Sequence, residues 1–151
     1  MFDRMKNLVT SVGNNAFNAA EEKLRPELKG VNALAEALAL LVMADRVAEE
    51  DELEAVSEYL IDMDVVIQKN LVREISSFFL DTVNRLDAGY KAGVVEGNAV
   101  AGEILHSISK VREDAEWSRV VADTVNLVTS GQGVDPKELK TRERILKALG
   151  K

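Results

Sequence analysis

An all-α bundle of about seven helices is what the sequence predicts, and three observations predict it. Apolar residues recur at threes and fours along nearly the whole chain, the period of an amphipathic helix. No stretch alternates apolar and polar residues for long enough to propose a sheet. One helix–loop–helix segment occurs twice at a constant offset.

The N-terminal element is an amphipathic helix within residues 1–30. Its stripe is Phe2, Met5, Leu8, Val9, Val12, Ala16 and Phe17, with Pro26 and Gly30 punctuating its end. Such a stripe more often packs on neighbouring helices than lies on a membrane. From Val31 to Ala44 only Asn32 and Glu36 are polar, and a helix apolar all round is a buried one. Glu49-Glu50-Asp51-Glu52 opens the next helix, whose inner face is Leu53, Val56, Leu60 and Met63. A long helix is expected from Asp64 to about Asp87, capped by Asp64, with Ile67, Leu71, Ile75, Phe78, Phe79, Val83 and Leu86 inward. Gly89, Gly93 and Gly97 mark a loop. Ala101, Ile104, Leu105, Ile108 and Val111 make a further helical stripe. Trp117, Val120, Val121, Val125 and Val128 make the next, with Trp117 in the core, and Leu139, Ile145, Leu146 and Leu149 the last.

The repeat sets Leu41-Val42-Met43-Ala44-Asp45-Arg46-Val47-Ala48-Glu49-Glu50-Asp51-Glu52-Leu53 against Leu127-Val128-Thr129-Ser130-Gly131-Gln132-Gly133-Val134-Asp135-Pro136-Lys137-Glu138-Leu139. Glu49 and Asp135, and likewise Glu52 and Glu138, stand 86 positions apart. Two copies are too few for a solenoid and imply a pseudo-twofold packing of helix pairs. The chain therefore divides as one domain, 1–151: an N-terminal helix, a first repeat at 31–62, middle helices at 63–116 and a second repeat at 117–149.

Composition narrows the function. Apolar residues are 46 % of the chain and charged residues 30 %, the balance of a globular domain. With only 5 % aromatic residues, the core must rest on Leu, Val, Ile and Ala. A net charge of −7 with scattered basic residues argues against nucleic acid and against docking on anionic lipid, and suits divalent cations or a basic partner. No cysteine is present, which excludes disulfides and zinc–thiolate sites. The one histidine, His106, sits on the polar side of its helix with no nucleophile near it in sequence. Nothing resembles a Ser/His/Asp set, a phosphate-cradling glycine loop or a cofactor fingerprint, so a non-catalytic role is expected. The first six residues carry no apolar h-region, and the longest apolar stretch, Ala37 to Ala44, is too short to cross a bilayer; the expected location is cytoplasmic.

Two acidic constellations are the candidate sites. Asp45, Glu49, Glu50 and Glu52 place four carboxylates within eight residues, and hard cations such as calcium or magnesium select clustered oxygens. The spacing is not that of an EF-hand. The same carboxylates also suit the first turn of a helix, where each favours the dipole by about 0.3–1 kcal/mol, and both readings stand. Asp135 and Glu138, around Pro136 and Lys137, read as a capping box that could also offer ligands. Asp62-Met63-Asp64 could add ligands at the far end of its helix, but reads first as a turn.

Several of these segments carry a family likeness. The opening Phe2-Asp3-Arg4-Met5-Lys6-Asn7-Leu8-Val9-Thr10-Ser11 resembles the start of tellurite-resistance TerB proteins. Ala44-Asp45 with its acidic cluster resembles the first TerB loop, Ser130 to Glu138 with Ala148-Leu149-Gly150 resembles the second loop and last helix, and Phe78-Phe79 falls where these proteins tend to have paired phenylalanines. The resemblance spans the chain at low identity. It implies a seven-helix bundle with internal twofold symmetry, acidic loops that bind a divalent cation, and a role in tolerance of tellurite, other chemical stress and phage. It also implies work alongside a calcium-binding TerD-type partner and an integral-membrane TerC-type partner, which would bring the protein to the inner face of the membrane. The family's Asp-Gly pair departs to Asp45-Arg46 in the first loop and Gly131-Gln132 in the second, so any cation site is expected at the first loop. A metal-free adaptor, carried by a phage or plasmid and docking through its acidic surface, is the alternative.

From the capping box, Asp135→Ala combined with Glu138→Ala is expected to destabilise the last helix by about 1–2 kcal/mol, read from the urea or thermal midpoint.

Overall fold

The buried helix anticipated at Val31–Ala44 is the axis of the molecule. The computed structural model describes residues 3–10, 26–131 and 133–151, and these form eight helices with no strand among them. They are α1 (Asp3–Thr10), α2 (Pro26–Val42), α3 (Glu50–Ile61), α4 (Asp64–Gln68), α5 (Val72–Ala92), α6 (Val94–Ser109), α7 (Ala115–Val128) and α8 (Pro136–Ala148). Helix α2 is buried on every side from Val31 to Met43 except at Asn32, and α3, α5, α6, α7 and α8 all pack on it. The fold is therefore the all-α bundle that the periodicity predicts.

Of the N-terminal stripe, Met5 is buried and Leu8 packs on the core, while Phe2, Val12, Ala16 and Phe17 lie outside the described residues. Pro26 and Gly30 do not end that helix. Pro26 stands at the first position of α2, where its missing N–H costs nothing, and Gly30 lies one turn inside. The Trp117 indole of α7 sits directly against Gly30, in the space that a β-carbon would occupy. Trp117 is itself in the core, as its spacing predicts, and its backbone N–H donates to Asp114 Oδ1 at 3.0 Å, capping α7.

Two further departures have local causes. The helix expected from Asp64 to Asp87 is broken: α4 ends at Gln68, and Asn70 adopts φ 57° before α5 starts. Asparagine is among the few residues at ease in that left-handed region. The break resets the helical phase, so Ile67 is 53 % exposed while Leu71, Ile75, Phe79, Val83 and Leu86 remain inward. Asp64 starts α4 and caps nothing. The expected glycine loop is a tight helical hairpin instead. Only Gly93 turns the chain (φ 155°); Gly89 ends no helix, and Gly97 lies within α6 with the Tyr90 ring packed where a β-carbon would be. Helix α6 accordingly starts at Val94, seven residues before the apolar stripe that predicts it, and its first turn exposes Val94 and Val95.

The two repeats occupy equivalent places in the topology. Val42 and Val128 end their first helices, and Glu50 and Pro136 open their second, each pair 86 positions apart. Glu49 and Asp135 are the corresponding N-caps. A polar contact joins α2 to α6: buried Glu36 accepts a hydrogen bond from Ser107 Oγ at 2.8 Å.

Gly30→Ala, which in an ordinary helix interior would gain about 1 kcal/mol of propensity, is expected to lower stability, because overpacking against a fixed indole costs about 1–3 kcal/mol. Trp117→Ala leaves a cavity and should cost about 3–5 kcal/mol. Urea midpoints at unchanged slope check both.

Candidate functional site

Each repeat contributes a loop and the first turn of a helix to the same end of the bundle. In the first loop Asp45 Oδ1 accepts from Val47 N–H at 3.2 Å, closing a side-chain turn, and Arg46 N–H donates to Met43 O at 2.9 Å. Arg46 holds φ 69°, a left-handed conformation that costs a residue with a β-carbon about 1–2 kcal/mol. Glu49 is the N-cap of α3 by backbone geometry but makes no side-chain cap, and Glu50, Asp51 and Glu52 fill the first turn. In the second loop Asp135 Oδ1 accepts from Lys137 N–H at 2.7 Å. Half of the expected capping box is therefore present. Glu138 does not reach back to the Asp135 N–H; its side chain turns to the rim of a groove. The loss expected for the double alanine variant therefore reduces to that of the Asp135 cap, about 1 kcal/mol, lessened by removal of the Glu138 charge.

That groove, of about 220 Å³, brings the two repeats together. Its floor is Leu38, Leu41 and Val42 of α2 with Val56 and Val128, and its rim carries Glu52 and Glu138, the equivalent positions of the two copies. Partial burial raises the Glu52 carboxyl above the usual range, and the charges of Glu138, Glu49, Asp45 and Asp135 raise it further. Glu138 is raised by the same burial first, then by Asp135 and Asp45. Asp45, Glu49, Glu52, Asp135 and Glu138 thus share one field across the two loops. Glu50 is exposed and is not among the carboxylates acting on Glu52 or Glu138.

Sequence spacing presents the loops as two separate constellations; the pairing of the repeats makes them one acidic mouth. The 86-residue offset, with glutamates at both 52 and 138, is the signal from which that convergence could have been read. Among the described residues no group of three or more Asp, Glu or His side chains is close enough to hold a metal ion as it stands. His106 is exposed. A wider, shallower depression of about 950 Å³ lies toward the C-terminal end of α3, between Tyr59, Asp62, Arg119 and Asp123. Its carboxylates, Glu58, Asp62, Asp64 and Asp123, stand with Arg119 among them, and Glu58 and Asp62 are paired to Arg4. No helix among the described residues is long and apolar enough to cross a membrane.

The fold and this mouth define a class: an all-α bundle of paired helix–loop–helix units with carboxylates converging where the pairs meet. No family model matches the chain, nor does any curated protein or solved structure.

The raised carboxyls carry a sign for stability. Their folded-state values lie above the ordinary 4.5, so the folded protein holds these protons more tightly than the unfolded chain. Their ionisation therefore opposes folding at neutral pH, and the penalty disappears as pH falls through the raised values to below 4.5. Glu52→Gln and Glu138→Gln should each raise the thermal midpoint at neutral pH, with the gain vanishing in acid. A midpoint lowered at neutral pH by either variant would contradict the repulsion.

Proposed function

We propose that the chain is a non-catalytic, cytoplasmic binding module of the TerB type, serving tolerance of tellurite or related stress, and that its acidic mouth takes a divalent cation such as calcium or magnesium. The observation that carries the reading is the groove where the two loops meet: Glu52 and Glu138 are partly buried there, the charges of Asp45 and Asp135 act on both, and a cation between the loops would offset those charges. The chain has no cysteine and a single histidine, exposed on α6, so oxygen ligands are the ones it can offer. TerD-type and TerC-type partners follow from the same resemblance.

A second reading has its own observation. Because no three carboxylates among the described residues stand at ligating distance, and because the mouth has an apolar floor, the surface also suits a basic partner segment without any metal. That is the adaptor reading.

Titration with Ca²⁺ and Mg²⁺ followed by NMR separates the two. A cation site gives saturable shifts confined to residues 44–53 and 134–139, lost in Asp45→Asn and in Glu52→Gln. Asparagine keeps the acceptor that closes the Asp45 turn, so the loss there reports charge rather than loop geometry. Small uniform shifts that vanish in physiological salt would be counterion attraction to a −7 surface. They would overturn the cation site and leave the adaptor.

A further inference from the structure

Behind the acidic mouth lies a small cavity of opposite character. It measures about 80 Å³ and is walled by α2, α5, α6 and α8 and the first loop. Leu40, Met43, Leu86 and Leu105 give it an apolar base. Its polar lining is Arg46, Arg144, Asn98, Thr141 and Tyr90, and no carboxylate lines it, in a chain whose net charge is −7. Among the described residues neither guanidinium forms an ion pair.

We propose that this cavity is an anion site that takes a single phosphate group between Arg46 and Arg144. Guanidinium groups present forked N–H donors that match phosphate oxygens, and both arginines are exposed, so an anion can reach them from solvent. The volume admits one tetrahedral oxyanion, or the head of a phosphomonoester entering from solvent, and excludes a whole nucleotide.

One wall is already fixed in place. The Tyr90 ring rests on Gly97, and its hydroxyl donates to Asn98 Oδ1 at 3.0 Å, which leaves the Asn98 amide N–H₂ as a free donor. The Arg46 guanidinium lies 5.8 Å from the Tyr90 ring centroid, within cation–π range. It reaches that position from a backbone held at φ 69°, where glycine would be unstrained. An arginine kept at a strained position, with its side chain over an aromatic wall and at the rim of a cavity free of carboxylates, is the arrangement an anion would use. The neighbouring Asp45 belongs to the acidic mouth, so consecutive residues of one loop serve sites of opposite sign.

The test is an NMR titration of the whole chain with inorganic phosphate, at ionic strength held constant with chloride. Saturable shifts are expected at residues 44–48, 90, 98 and 141–144. Arg46→Gly and Arg144→Gln should each weaken binding by about tenfold or more, as loss of a charge-assisted contact does. Arg46→Gly relieves the backbone strain, so without phosphate its thermal midpoint should equal or exceed that of the unaltered chain. Phosphate should raise the midpoint of the unaltered chain and not that of the variant. Tighter binding of O-phosphoserine than of inorganic phosphate assigns the site to a phosphomonoester, and the reverse assigns it to the free ion. Acetate binding as tightly as either would overturn the phosphate assignment. Absence of saturable shifts, or unchanged affinity in both variants, would overturn the site. None of these outcomes depends on whether the acidic mouth binds a cation.

Discussion

The seat of Trp117 on Gly30 is the contact on which the arrangement of the two repeats depends. Helix α2 belongs to the first copy and α7 to the second, and the indole occupies the volume that any side chain at position 30 would need. With glycine there, the N-terminal part of α7 closes onto α2, and the Asp114 cap fixes where α7 begins. At the other end of the same two helices the chain enters the loops that carry Asp45 and Asp135. The register set by the indole thus determines how closely the loops meet. A large aromatic against a glycine specifies one packing more sharply than aliphatic contacts do, because neither member can adjust. In a core with few aromatics this is where such specificity is available.

The same pairing of helices creates an electrostatic arrangement that works against the fold. Glu52 and Glu138 occupy equivalent positions, so joining the copies half-buries both over an apolar groove among like charges, and their raised carboxyls record the cost of burial first and of the neighbouring charges second. The second loop shows how the two roles separate. Asp135 accepts a backbone N–H and stabilises α8, whereas Glu138, three residues on, gives up its place in the capping box and faces the groove. Neighbouring carboxylates of one motif therefore act on stability with opposite signs.

Much of the fold was legible in the sequence. The all-round apolar run at Val31–Ala44, the core tryptophan, the Asp135 cap and the 86-residue repeat each rest on local patterns that tertiary structure does not override. The misreadings share a cause. Asn70 breaks a helix without a proline or glycine to announce it, and the exposed Val94 and Val95 hide the start of α6 from any search for an apolar stripe. Gly30, Gly89 and Gly97 read as punctuation, yet they lie inside helices, and Gly30 and Gly97 each receive an aromatic ring from another helix. A glycine that ends a helix and one that admits a neighbour's side chain are the same letter; only the partner tells them apart, and the partner is remote in sequence. The candidate carboxylates were legible by type and position, but their merging into one field was not, because it depends on which helices pair.

At Arg46 backbone strain, charge and packing meet in one residue. The φ of 69° at position 46 is a left-handed conformation that glycine adopts without strain and that a residue with a β-carbon rarely does. This chain makes the turn with an arginine in that place. Loop closure does not require arginine, since the hydrogen bonds from Arg46 N–H to Met43 O and from Val47 N–H to Asp45 Oδ1 are available to any residue able to adopt the conformation. The strain is balanced at least in part by the contact with Tyr90, whose own placement depends on Gly97. The arginine of the loop and the glycine of α6 are in this sense parts of one arrangement: the glycine lets the ring approach, and the ring holds the arginine.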